Sequence, residues 1–349
     1  MTVPNTHSFY VGTYTDGNSK GIYKYELTFN GHLKSAGLVA TTENPSFLAL
    51  TKDKRNLVAI NEVKNREGVG TVEAYAVSGE TLTLLNRQSS GGAHPCFVSI
   101  NDSGHVLTAN YTGGNIGLLK LETDGSLSEL LDVQQHTGKG ISDRQEAPHA
   151  HSVWTHPGDG SIIAVDLGTN ELWFSRIEDD VSKLVPAMQQ KLAMAPGAGP
   201  RHLAFHPTSP WIYVVNELNS SITRVDQDNT GEYVLGTTVS TLPDTFSGTN
   251  TCADIHVSSD GRFVYASNRG HNSIAVLAIN QENGDLSLLG NKGCGGDGPR
   301  NFAFSPEDRF ILVANQHTNN IVSLKRNPTT GLLKYVDQTE APTPVCIAF

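Results

Sequence analysis

One pattern recurs along the chain at intervals of roughly 45 to 55 residues, the period of propeller blades. A short apolar strand runs into a Pro/Asp/Gly turn. A second apolar strand follows and ends on a polar residue, and a short turn leads to a third strand. Pro95-Cys96-Phe97-Val98-Ser99-Ile100, the turn Asn101-Asp102-Ser103-Gly104 and the strand Val106 to Asn110 give one example. The pattern also starts at Pro45, His151, Arg201, Asp254 and Arg300. A weaker fourth strand completes each unit, as in Leu82 to Arg87, Leu127 to Val133 and Leu286 to Asn291. Four antiparallel strands make one blade. Six units are complete or nearly so, and the seventh is divided between the chain ends. Val345 to Phe349 reads as a first strand that stops. Phe9 to Tyr14 reads as a second strand with no first strand before it, continued by Gly21 to Leu27 and Leu33 to Thr41. Joined, the two ends close a ring and leave no sheet edge exposed. The expectation is an all-β fold: one seven-bladed β-propeller domain of four-stranded antiparallel blades over residues 1–349.

Strand geometry then restricts where function can reside. The first strand of each blade lines the channel and the second returns antiparallel to it. First-strand starts and second-strand ends therefore crowd one mouth of the channel. The starts carry His149, His151, Arg201, His202, Arg300 and Asn301, and the ends carry Glu62, Asn110, Asp166, Glu217, Arg269 and Asn315. Asp166 and Asn110 also suit purely structural hydrogen bonding. His149-Ala150-His151 resembles a metal pair, but the two rings are expected to diverge and no third ligand is evident. No metal or cofactor is expected. There is no phosphate-binding glycine loop opening a helix and no GxSxG elbow.

Composition excludes further classes. The net charge is −10 with no run of Lys or Arg, so neither nucleic acid nor an anionic membrane is an expected partner. No apolar stretch reaches transmembrane length. Cys96, Cys252, Cys294 and Cys346 are widely spaced and read as buried free thiols. Met1 to His7 carries neither a basic nor an apolar targeting region, which with the cysteines gives a cytoplasmic expectation. Trp154, Trp173 and Trp211 fall at strand positions and read as core rather than as a protein-binding face.

Gly199-Pro200-Arg201-His202-Leu203-Ala204-Phe205-His206-Pro207 and Asn216-Glu217-Leu218-Asn219-Ser220-Ser221 resemble the lactonase family of seven-bladed propellers. That family includes bacterial propeller-type 6-phosphogluconolactonases and fungal carboxy-cis,cis-muconate lactonizing enzymes. Val11-Gly12-Thr13-Tyr14-Thr15, Pro148-His149-Ala150-His151-Ser152, Ser267-Asn268-Arg269, Pro299-Arg300-Asn301-Phe302 and Pro344-Val345-Cys346 extend the resemblance along the whole chain. It implies an active site made of His151, Arg201, Glu217 and Arg269, with Arg300 binding an anionic group. His149, His202 and Asn110 are expected beside them as further substrate contacts. The implied activity is hydrolysis of a small anionic lactone, 6-phosphogluconolactone first. Glu217 would activate water, His151 would orient it or protonate the leaving oxygen, and the arginines would stabilise the oxyanion. The Glu217 and His151 roles are interchangeable at this level. The alternatives are a muconate-cyclising enzyme and a non-enzymatic binding propeller.

Overall fold

The computed structural model describes residues 6–178 and 180–349; of the N-terminal stretch read above for targeting signals, Met1 to Asn5 lie outside them. The described residues form seven four-stranded antiparallel sheets. Blade 1 joins Pro344–Ala348 to Thr6–Thr13, Gly21–Thr28 and Leu33–Thr41, so the two chain ends share one sheet as expected. Val11 pairs with Ile347 and Gly12 with Cys346. Blades 2 to 7 begin at Leu48–Leu50, Pro95–Ile100, Ala150–Thr155, Pro200–Phe205, Thr251–Val257 and Pro299–Phe304. The innermost strands pack against one another in a closed circle. No helix among the described residues is long and apolar enough to cross a membrane.

The core follows from alternation along strands whose two faces are both covered. Buried apolar side chains form clusters in the gaps between neighbouring blades. Phe9, Val11, Tyr25 and Leu27 of blade 1 pack on Phe310, Leu312 and Ile321 of blade 7. Val165, Leu172 and Phe174 of blade 4 meet Leu203, Val214 and Val225 of blade 5. Every blade contributes to two clusters, one on each face, so no blade can leave without exposing two apolar surfaces. Trp154, Trp173 and Trp211 pack against these clusters. All four cysteines are buried and unpaired.

One strand departs from the expectation. The fourth strand of blade 3 is Asp132–Gln135 rather than Leu127 to Val133. Leu127 makes only a single bridge with Leu121, whereas Leu118 faces Asp132, so the outer chain holds two extra residues. Asn86 of the neighbouring blade donates to the Leu127 carbonyl (2.8 Å) and accepts from its N–H (2.9 Å), holding this residue from outside its own sheet.

Candidate active site

A local irregularity repeated around the ring aims the functional side chains. In six blades the innermost strand carries a β-bulge near its start, and in four of them the register skips one residue that belongs to the site. The skips fall between Pro95 and Phe97, Ala150 and Ser152, Pro200 and His202, and Pro299 and Asn301. The residues left unpaired are Cys96, His151, Arg201 and Arg300. A bulge turns its extra side chain out of the alternation, here toward the channel mouth. Proline at the first strand position suits this start, since it offers no N–H to the ladder. Before two of these prolines stand Gly199 and Gly298, at φ +64° and +69°. A Cβ on Gly199 would meet Leu218, and one on Gly298 would meet His317. Glycine thus lets the turn before Arg201 lie against the turn that carries Glu217, whose N–H donates to the Gly199 carbonyl at 2.7 Å.

The ends of the second strands divide into two positions. Asn61, Asn110, Asp166, Asn216, Asn268 and Asn315 are buried and bond inside their own surroundings. Asn110 donates to the Ser90 carbonyl (2.9 Å) and Asn315 to the Cys294 carbonyl (3.1 Å), while Asp166 accepts from the His149 N–H (2.8 Å). The residue one further on faces the mouth instead: Glu62, Tyr111, Glu217 and Arg269. These four, with Cys96, Arg144, His151, Thr251 and Arg300, line a cavity of about 360 Å³.

Glu217 is the centre of the cluster. Its Oε2 lies 3.0 Å from Arg201 Nε and 3.0 Å from Arg269 Nη2, and its Oε1 lies 3.2 Å from Arg144 Nη2. Burial would raise its carboxyl, but Arg269, Arg201, Arg144 and Arg300 together hold it below the usual range. Arg201 and Arg269 are themselves tied down by the Ala253 carbonyl (2.5 Å) and the Cys252 carbonyl (2.9 Å). Burial, then Arg269 and Arg300, lower Arg201 to about 10, which leaves it charged at neutral pH. Arg300 sits over the Tyr14 ring at 5.4 Å. No carboxylate among the described residues forms an ion pair with it. Glu62 accepts from the hydroxyls of Tyr14 (2.8 Å) and Ser46 (2.5 Å). Burial, followed by the charge of Arg201, keeps His151 well below the ordinary imidazole value, so its ring is neutral at pH 7.

The structure brings His151, Glu217, Arg269 and Arg300 together on the cavity wall as expected. Arg201 belongs to the cluster but lies behind Glu217 and does not line the cavity. Three expected substrate contacts sit elsewhere. Asn110 occupies the structural strand-end position. His149 stacks flat on Tyr111 (4.4 Å, 9°) and contacts its carbonyl oxygen (3.0 Å). His202 is buried in the channel, with Nδ1 2.9 Å from Asp254. The rings of His149 and His151 do not diverge: residues two apart on a strand share a face, and both touch Tyr111. Among the described residues no group of three or more His, Cys, Asp or Glu is arranged to hold a metal ion. Sequence reasoning missed Tyr111 and Arg144. Tyr111 is one position past the strand end used for the reading. Arg144 belongs to the segment between Gln135 and Ala150, whose length was the only signal.

The histidines give this site a pH signature. His151 and His202 both have folded-state values below the unfolded one, His202 at about 4, chiefly through burial. Below pH 6.5 the unfolded chain therefore binds protons that the folded chain refuses, and stability falls as pH falls. The lowered carboxyls of Glu217 and Asp254 act in the same direction at lower pH. His256 is raised despite its burial, chiefly by the charge of Asp254, and opposes them. The expected net result is a melting temperature that declines from pH 6.5 toward pH 4. A level or rising profile by calorimetry would contradict this assignment of charges.

Comparison with known proteins agrees with the fold. Residues 8–349 match the family described as Lactonase, 7-bladed beta-propeller. A 6-phosphogluconolactonase of Bacillus subtilis (strain 168) is 40% identical over 344 residues, 97% of each chain. A protein of the same name from Formosa agariphila is 32% identical and covers 94% of this chain and 95% of its own. Among solved structures, a periplasmic gluconolactonase of Pseudomonas aeruginosa superimposes with a TM-score of 0.92 at 30% identity, covering 99% of both chains. A match along nearly the full length, at this identity and with this fold, makes the chain a member of the lactonase family of seven-bladed β-propellers.

Proposed function

We propose that this protein hydrolyses 6-phosphogluconolactone to 6-phosphogluconate in the cavity around Glu217. The observation that carries the reading is a local charge of the wrong sign for the chain. Within a protein of net charge −10, four guanidinium groups meet two carboxylates at the mouth, with His151 neutral. Two positive charges are left over, which matches a phosphate dianion. The names of the Bacillus and Formosa relatives support the same substrate.

In this mechanism the Glu217 carboxylate takes a proton from a water molecule as the water oxygen attacks the lactone carbonyl carbon. Arg269 faces the oxyanion that forms, where a fixed charge in a sheltered site is most effective. The bond from that carbon to the ring oxygen then breaks, and Glu217 returns its proton to the ring oxygen. Arg201, behind Glu217, positions the carboxylate. The neutrality of His151 supports a water-orienting role over that of a cationic acid. Arg300, which lacks a carboxylate partner, is suited to hold the phosphate. The chain works as one domain over residues 1–349, with no metal or cofactor, in the cytoplasm; its four free thiols are compatible with a reducing compartment.

The test is a parallel assay of the purified protein on fresh 6-phosphogluconolactone and on carboxymuconate, with and without a chelator. The expected result is lactone loss well above the spontaneous rate, no cyclisation, and no effect of the chelator. Cyclisation of the muconate without lactone hydrolysis would overturn the proposal.

A further inference from the structure

Three of the four cluster arginines come from strands of the ring, and the fourth does not. Arg144 stands on a single 3-10 turn, Asp143–Gln145, in the segment that crosses from blade 3 to blade 4. The turn is held firmly. Ser142 and Gln145 cap each other, and Gln145, fully buried, donates to the Leu167 carbonyl (2.8 Å) and to Asn170 Oδ1 (3.0 Å). The Arg144 side chain itself is 53% exposed, against 3% for Arg201 and 19% for Arg269. Its Nη2 is shared between Glu217 Oε1 (3.2 Å) and the Tyr111 hydroxyl (3.0 Å). The two oxygens of Glu217 are thus guarded differently. Oε2 faces two buried arginines from the ring, and Oε1 is covered by one half-exposed arginine from outside it.

We propose that Arg144 reads the anionic group of the substrate, exchanging Glu217 Oε1 for a phosphate oxygen and so uncovering the carboxylate that activates water. This assignment rests on the lactonase reading above and names a specificity residue for it. A planar guanidinium binds phosphate through two parallel N–H donors, whereas Arg144 reaches Glu217 with one at 3.2 Å. The incoming dianion therefore competes well for it. Tyr111 holds the guanidinium at the cavity wall during the exchange, and the anchored Gln145 keeps the backbone in place, so only a side chain has to move. A lactone without a charged group binds without drawing Arg144 away and meets a covered carboxylate. Discrimination then enters both at binding and at turnover.

The experiment compares kcat/KM for 6-phosphogluconolactone and for unphosphorylated gluconolactone in the wild type, Arg144→Ala and Arg144→Lys. Loss of one charge-assisted contact sets the scale. In Arg144→Ala the preference for the phosphorylated lactone is expected to fall by at least about 10-fold. It should do so through a higher KM for that substrate and a higher kcat for the unphosphorylated one. Arg144→Lys keeps the charge without the fork and should give an intermediate preference. If both variants lose activity on the two lactones in equal proportion, Arg144 is only a strap across the mouth and the assignment is overturned, with the lactonase reading intact. If the wild type fails to open 6-phosphogluconolactone, the lactonase reading fails first and takes the assignment with it.

Discussion

Asp254→Asn is expected to destabilise the protein by about 3–5 kcal/mol, although it changes neither the size nor the shape of the side chain. Asp254 stands in the channel, and five donors converge on it. Oδ1 accepts from His202 Nδ1 (2.9 Å) and the Ile255 N–H (3.0 Å). Oδ2 accepts from His256 Nε2 (3.1 Å), Asn301 Nδ2 (2.6 Å) and the Phe302 N–H (3.2 Å). These donors belong to blades 5, 6 and 7, so one carboxylate ties three blades at the axis. An ionised carboxylate only accepts, which suits a site made of donors. An amide in either orientation turns its NH2 toward at least two of them, and each opposed buried donor costs about 1–3 kcal/mol. At the usual unfolding entropy per residue, the loss corresponds to a Tm lower by about 4–7 °C. A Tm within about 1 °C of wild type would show that the donors find other partners. The same hub serves the active site. With Nδ1 donating to Asp254, His202 presents Nε2 as an acceptor to Arg201 Nη1 at 3.3 Å.

Closure of the ring was legible because the two half-units at the chain ends complement each other and nothing else in the sequence pairs with them. Strand order followed from the repeated turns. The outer strand of blade 3 was not legible, since its first apolar residue, Leu127, bonds to Asn86, a residue of another blade. Sequence periodicity reports which face a residue takes within its own strand and carries no record of a neighbour's side chain.

The site was legible in outline and blurred by one residue. Starts and ends of strands do meet at one mouth, and His151, Glu217, Arg269 and Arg300 are there. At the second-strand end, however, Asn110 and Tyr111 stand side by side, and the polar one appeared to be the candidate. The structure gives the polar residue to the blade and the aromatic one to the cavity. The signal was present across the repeats, where Asn or Asp recurs at one position and the next position varies: Asn61 and Glu62, Asn110 and Tyr111, Asn216 and Glu217, Asn268 and Arg269. A recurring residue supports the common scaffold, and a varying one is free to serve the site. The bulge was readable as Pro-X at Pro95-Cys96, Pro200-Arg201 and Pro299-Arg300, but not at Ala150-His151, where the proline, Pro148, stands before His149 instead. Arg144 had no such periodic signal, since its segment belongs to no repeat.

Glu217→Gln carries the largest expected loss of activity. Among the described residues, the change removes the only carboxylate that both faces the cavity and is held by three guanidinium groups. Glu62, the other carboxylate on the cavity wall, is taken up by the hydroxyls of Tyr14 and Ser46. General-base catalysis contributes about 100- to 10,000-fold, so turnover should fall by at least about 100-fold. Substrate affinity should change little, since Arg300 and Arg144 hold the phosphate and the lost interaction acts mainly in the transition state. The competing account gives Glu217 a structural duty only, as the counter-charge that keeps Arg201 and Arg269 from repelling each other. On that account the amide lowers Tm while the folded fraction turns over normally. The deciding measurement is kcat on fresh 6-phosphogluconolactone, corrected for spontaneous opening, taken with Tm on the same preparations of wild type and Glu217→Gln. A folded variant with kcat reduced at least about 100-fold and KM changed by no more than a few-fold is the predicted result; a folded variant with near-wild-type kcat would contradict the account.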